Sequence, residues 1–411
     1  MPCIRRCLLP SAARNRGFSL VELMVAITIG LIITIAVAQV FLQSQATYRV
    51  DEGLARAQEN GRFAVEFVSR ELRHAGYYGC RAARGKRDIK TEDGQFHGWD
   101  LYSAARFDIT PMLAIPLNGI EAPGTAPGNT ILAGATVPTA PAAASIATAA
   151  WGGPIAIPNG GILPGTDAIT LLRINPVGIQ LAPPFLDIPD FTSVFVDHSS
   201  AALSGLTAGD TLFMTDCKVG ALFRVSQITT AGATDTLLHD ASMNRCPNWL
   251  PPTRASGNAA TANCTGFVMD PARAELSRLE FITYYIGVNS NNVPGLFMWR
   301  TGPDWVGPAQ ELVEGVENMQ ILYGEDTALN ADGSRSPRSA DRYVPASLVA
   351  NWANVVSARI AFLVRSQNAS LTGTEIGWDP TTFNLLGTTV GPINDTQRRR
   401  VFTTTVQLRN R

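Results

Sequence analysis

The sequence predicts an α+β fold: a long N-terminal α-helix, its first half membrane-spanning, packed on an antiparallel β-sheet domain with long loop insertions. Three observations carry this. Leu23 to Leu42 holds no charged side chain, and at about 1.5 Å per residue such a run crosses a hydrocarbon core of about 30 Å. Apolar residues then continue at helical spacing for another thirty or so positions. Near the C-terminus the period changes from three or four to two, the mark of half-buried strands.

The helix is expected from residue 18 to about 76. Its outer half carries an apolar stripe, Val50, Leu54, Ala57, Gly61, Val65, Val68 and Leu72. Arg49, Asp51, Glu52, Arg56, Glu59, Arg62, Glu66, Arg70 and Glu71 fill the positions between. That is one apolar face on an amphipathic helix, and such a face needs a partner surface, here a β-sheet. No proline falls between Pro10 and Pro111. Gly30, Gly53 and Gly61 each weaken the helix by about 1 kcal/mol relative to Ala. Gly76 or Gly79 is a natural C-cap, and His74 suits the negative end of the helix dipole.

The head of the helix is the most specific stretch. Arg5, Arg6, Arg14 and Arg16 precede it with no acid among them. Then come Gly17-Phe18-Ser19-Leu20-Val21 and a single carboxylate, Glu22, at the mouth of the apolar run. An ionisable group there is costly in lipid and usually has a partner and a purpose. Arginines before the span and none within it keep the N-terminus in the cytoplasm. This order of residues resembles a type IV prepilin signal. The resemblance implies cleavage after Gly17 by a membrane-bound prepilin peptidase and methylation of the new terminus at Phe18. It also implies a pairing of the Glu22 carboxylate with the terminal ammonium of a neighbouring subunit. Residues 1–17 are then a leader, 18–43 the membrane and assembly half of the helix, and 44–79 its amphipathic half. A plain signal anchor or a secretory signal is the alternative reading of the same run.

The chain has 411 residues, 45% hydrophobic and 16% charged, with a formal charge of -1. The leader holds four arginines and no acid, so its loss takes the charge from -1 to -5. That balance gives no basic surface for nucleic acid. Residues 80–270 read as a β-rich region in which 119–165 is an Ala/Pro/Gly-rich insertion. Arg81, Arg84, Lys86, Arg87 and Lys90 form a solvated cluster ahead of it. Strand-like runs occur at 166–172, 209–217 and 221–225. In residues 271–411, Leu279 to Ile286 and Gly295 to Arg300 form a hairpin pattern. Two alternating strands follow, one with Val356, Ala358, Ile360, Phe362 and Val364 inward, the other with Phe402, Thr404, Val406 and Leu408 inward. A short helix is expected near Ala346 to Trp352.

Gln58 to Ala64, Ala75-Gly76-Tyr77-Tyr78-Gly79-Cys80, Gly209-Asp210-Thr211-Leu212, Asp216-Cys217 and the segment to Leu408-Arg409-Asn410-Arg411 resemble the PilW-type minor pilins of type IV pili. The fold implied is pilin-like. Four cysteines stay after the leader, and they allow three connectivities. The resemblance implies Cys80–Cys217 and, with it, Cys246–Cys264. The partners it implies are other minor pilins and the major pilin, the prepilin peptidase, and the inner-membrane assembly platform, with a large tip adhesin as a further candidate. The implied location is the inner membrane as a single-pass protein with a periplasmic C-terminal domain, and then the pilus. The implied role is in a tip or priming complex that starts pilus assembly and supports twitching motility, adhesion or DNA uptake. A type II secretion pseudopilin and a tip-displayed surface-binding module are the alternatives.

No nucleophile elbow, phosphate-binding glycine loop or His-Glu-x-x-His occurs, and the four histidines are scattered. The sequence therefore predicts no enzyme and no cofactor. Asp326, Asn330, Asp332 and Asp341 around Asp332-Gly333 supply oxygen ligands of the kind calcium takes. Ala328, Leu329 and Ala331 interrupt them, and no closing Glu follows.

Overall fold

The helix runs unbroken from Leu20 to His74 in the computed structural model. The structure describes residues 19–78, 81–82, 117–131, 145–148, 153–156, 161–174, 179–186, 193–199, 203, 205–215, 220–240, 271–302, 306–328, 339–366, 381–393, 395 and 397–409. Contacts divide the chain into Met1–Gly53 and Leu54–Arg411. In the first unit the apolar side chains from Leu20 to Leu42 stand exposed. The second unit holds the outer part of the helix and every described strand.

From Ala57 onward most of the predicted stripe is buried, and Leu54 and Val65 are half-buried. Ala57, Ala64, Val68 and Leu72 lie in one core with residues of two sheets, and Val65 packs partly against it. Gly61 belongs to the same face for a steric reason. A Cβ at this position would stand 2.2 Å from the Phe402 ring. The last strand, Arg399–Gln407, can therefore lie close to the helix only because residue 61 has no side chain. The helix ends where Gly76 adopts a φ of 72°, a backbone state glycine enters without steric cost. The Gly76 N–H then donates to the Leu172 carbonyl at 3.2 Å, passing the chain to the sheet.

The larger sheet is built around one long strand, Glu275–Val288. Its first residues pair with Thr211–Thr215 and its later ones with Pro294–Thr301. Ala168–Ile174 and the first residues of Ile179–Leu186 also pair with it in turn, all antiparallel. Pro294–Thr301 pairs in turn with Val306–Glu314. Gly315 then turns the chain into the second sheet, ordered Arg342–Val344, Val316–Glu325, Val355–Arg365, Arg399–Gln407. Met319, Ile321, Tyr323, Ala358, Ile360, Phe362 and Val364 put this sheet into the helix core. The short helix expected near Ala346 is two 3₁₀ turns, Ala346–Leu348 and Trp352–Asn354.

Two features depart from expectation. Val355–Arg365 alternates as predicted, yet Ala361 and Leu363 on its other face are buried as well. They form a core with Leu385 and Val390, so a small sheet of Thr381–Leu385, Thr388–Ile393 and Thr130–Ile131 covers that face. The Ala/Pro/Gly-rich insertion, 119–165, supplies the end of Leu117–Ile120, which lies beside Ala168–Ile174, and Thr130–Ile131, which runs parallel to Thr388–Ile393. Its runs are too short and too poor in large apolar residues to announce strands, and partner strands far along the chain complete them.

Gly61→Val is expected to lower stability by about 1–3 kcal/mol, a typical overpacking cost, although Val removes the glycine's backbone entropy. Thermal unfolding of the full-length protein in detergent checks this. An unchanged midpoint would show that Phe402 gives way freely.

Candidate functional site

The first described residues form a reciprocal N-cap. The Ser19 N–H donates to Glu22 Oε2 at 2.9 Å, and the Glu22 N–H donates to Ser19 Oγ at 3.2 Å. This capping box satisfies two of the amide donors that a helix start leaves open. Ser19-Leu20-Val21-Glu22 has the spacing this box requires, so the sequence itself carries the signal. The box occupies one carboxylate oxygen, and a carboxylate has acceptor sites on both. Glu22 can thus hold its own helix start and still meet a cation from outside. Behind it Leu20, Val21, Leu23, Met24 and Val25 are each at least half exposed. The helix is long and apolar enough to cross a membrane, with none of its most apolar stretch buried in the protein. Gly17 and Phe18 lie outside the described residues.

The end of the helix is held by charge. Glu71, expected on the solvated side, is buried. It accepts a hydrogen bond from Arg173, whose other guanidinium nitrogen is 3.5 Å from Glu280. All three side chains are at most 9% exposed. A buried arrangement of this kind contributes little net stability, but removing one member is costly, about 3–5 kcal/mol. It joins the helix to Ala168–Ile174 and Glu275–Val288. Helical spacing assigns Glu71 to a polar position and says nothing of a facing arginine.

A second buried carboxylate fastens the insertion. Asp167 Oδ1 accepts from the Ala122 N–H and the Thr125 hydroxyl, both at 3.1 Å. Its Oδ2 accepts from the Ile321 N–H at 2.8 Å. Burial pushes its carboxyl up to about 7, while the three donors hold it down and Glu121 adds to the rise. The unique pattern that would have revealed Asp167 does not exist in the sequence, since its three partners come from distant segments.

The acidic loop is only partly described. Asp341 Oδ2 accepts from the N–H groups of Thr327 and Ala328 at 2.7 and 2.8 Å, closing the base of the loop. These bonds hold its carboxyl below the usual carboxylate range. Asp326 is buried. Asn330 and Asp332 lie outside the described residues, and among the described residues no group of three or more His, Cys, Asp or Glu could hold a metal ion. Beside Asp326, Glu325 is fully buried, accepting from Arg342 Nε and Nη2 and from the Asn351 N–H at 3.0, 2.7 and 3.0 Å. Cys80, Cys217, Cys246 and Cys264 lie outside the described residues.

An apolar helix that leads from a capped acidic head into an antiparallel β domain defines a pilin-like protein. Residues 12–38 match the family described as Prokaryotic N-terminal methylation motif. Residues 283–410 match the family described as Type IV Pilus-assembly protein W. The two matches support a PilW-type minor pilin of the type IV pilus. Both families are structural pilus components rather than enzymes. No curated protein and no solved structure gives a significant match.

Asp167 titrates with a definite sign. Its carboxyl is raised in the folded state, so its contribution is greatest in acid and is lost as pH rises from about 4 to about 7. Glu121 and Tyr323 are the other titratable groups that act on this corner. Wild type should therefore lose stability relative to Asp167→Asn between pH 5 and 7, which paired thermal melts measure. Parallel pH profiles would contradict the assignment.

Proposed function

We propose that this chain is a minor pilin of the tip or priming complex that starts type IV pilus assembly. In this reading the prepilin peptidase cuts after Gly17 and methylates Phe18. The helix then stays in the inner membrane with the β domain in the periplasm until the subunit passes into the pilus. Its partners are other minor pilins, the major pilin and the inner-membrane assembly platform, with a large tip adhesin as a candidate cargo. Twitching motility, adhesion and DNA uptake are the processes it would serve. Cys80–Cys217 and Cys246–Cys264 remain the proposed disulfides, in a compartment where such bonds persist.

The observation that carries the reading is the conjunction, in one chain, of the methylation motif and the PilW match. The chemistry of Glu22 supplies the mechanism. In a medium of low dielectric an unpaired carboxylate is penalised and an opposite charge is strongly attracted. A terminal ammonium from a neighbouring subunit satisfies Glu22 while the capping box keeps its helix start in place. Pairing thereby favours docking and sets the axial stagger between subunits.

The capping box allows charge and cap to be separated, because glutamine serves in it as well as glutamate. In a deletion strain, wild type should restore surface pili and twitching. Glu22→Gln and Glu22→Ala should both be cleaved after Gly17, and neither should restore pili. Restoration by the Gln variant alone would mean that the cap, not the charge, is what assembly needs. Normal piliation with failed type II secretion in the deletion strain would establish the pseudopilin reading instead.

A further inference from the structure

The second sheet ends on Arg399–Gln407, which among the described residues pairs with Val355–Arg365 alone. A strand at a sheet edge leaves the N–H and C=O of every second residue outside the ladder. Here those residues can be assigned. The Ser366 N–H donates to the Arg398 carbonyl at 2.8 Å, and the Leu408 N–H donates to the Val356 carbonyl at 2.9 Å. These two bonds bracket the strand, and the nine residue pairs between them run in register without a bulge. The even-numbered residues therefore bond inward to Val355–Arg365. Val401, Thr403 and Thr405 turn their N–H and C=O groups outward. Thr403 and Thr405 are exposed.

Folded proteins ordinarily blunt such edges with charge, proline, a bulge or shortness. Val306–Glu314, at an edge of the first sheet, carries Pro308, Glu311 and Glu314 and two shifts of register. Arg342–Val344, the other edge of the second sheet, is three residues long. Arg399–Gln407 has none of these devices along Val401 to Gln407: no charge, no proline, and valine, phenylalanine and threonine that favour strands. An unguarded edge of this length is a template for one more strand. The ends of the edge say which kind. Arg399 is held by Glu317 and Asp395, but Arg400 and Arg409 are exposed and pair with no carboxylate among the described residues. Arg400 instead lies over the Phe402 ring, 5.8 Å from its centroid. A second copy of the strand, paired antiparallel about Thr403, would bring the Arg400 end of one chain toward the Arg409 end of the other, twice over. Like charges across a strand pair are destabilising, whereas acids at both ends of an incoming strand would be favoured.

We propose that the free edge of Arg399–Gln407 takes up an extended segment of a different protein, uncharged and β-branched along its middle and acidic at both ends, as a further strand of the second sheet. This edge lies wholly within Leu54–Arg411, so its test does not depend on the pilus reading. The probe is a fluorescent, end-blocked peptide, Glu-Glu-Thr-Val-Thr-Val-Thr-Glu-Glu, titrated by anisotropy with full-length protein in neutral detergent at fixed ionic strength. Saturable binding is expected. Thr403→Pro removes an outward N–H and leaves the ladder to Val355–Arg365 in place, so it should weaken binding about fivefold or more. Thr403→Ala keeps that N–H and should bind like wild type. If Thr403→Pro fails to fold, the peptide itself carries the test: N-methylation of each central residue should abolish binding to wild type, and lysine in place of its glutamates should weaken it. Absence of saturable binding, or binding undiminished by Thr403→Pro, by N-methylation or by the lysine ends, would overturn the proposal. A wild-type dimer in sedimentation that Thr403→Pro dissolves would also overturn it, by making a second copy the occupant.

Discussion

The apolar stripe of the helix from Ala57 to Ala75 is the surface on which both large sheets close. Ala57, Ala64, Val68 and Leu72 share one core with Ile169, Leu171, Ile282 and Tyr284 of the first sheet and with Ile321, Ile360 and Phe362 of the second. Small residues dominate the stripe's first turns, which lets strands approach closely. Gly61 beneath Phe402 is the limiting case. Hydrophobic contact is not directional, so this packing alone does not fix the position of the helix end. Directional bonds do that: Arg173 donates to Glu71 and the Gly76 amide donates to the Leu172 carbonyl, while Glu280 adds an ion-pair contact to Arg173.

The same division of labour recurs where the insertion meets the sheets. Leu117 lies in the helix core and Ile120 and Ile131 pack against the two smaller cores, and polar links add direction to that packing. Asp167 binds Ala122, Thr125 and Ile321 together, and the Thr388 hydroxyl donates to the Thr125 carbonyl at 2.5 Å. A segment that composition describes as loop is thus stitched to strands more than a hundred residues away. Long-range polar contacts of this kind leave no local period.

That explains what could be read from the sequence. Periodicity announced the helix, its buried stripe and the strands Glu275–Val288, Val355–Arg365 and Arg399–Gln407, because each has a face set by local spacing. It could not announce that Ala361 and Leu363 are covered from the other side, since the cover comes from residues 381–393 and 130–131. Nor could it place Glu71 or Asp167, whose surroundings are made by distant segments. The head of the helix was legible because every relevant residue is adjacent in sequence. Even there, the capping role of Ser19 and Glu22 went unread beside the more conspicuous charge.

Glu22 joins the local and the intermolecular parts of the account. Its backbone and one carboxylate oxygen start the helix, and its charge heads an apolar surface that nothing in the first unit covers. Such a helix is suited to a membrane first and to packing against similar helices afterwards. The most direct test is mass spectrometry of the chain's N-terminal peptide from sheared surface pili. The account predicts a mature chain that begins at methylated Phe18 and is present in the pilus fraction. A chain that keeps Met1, or one cut beyond Leu42, and that never leaves the membrane or periplasmic fraction would contradict it.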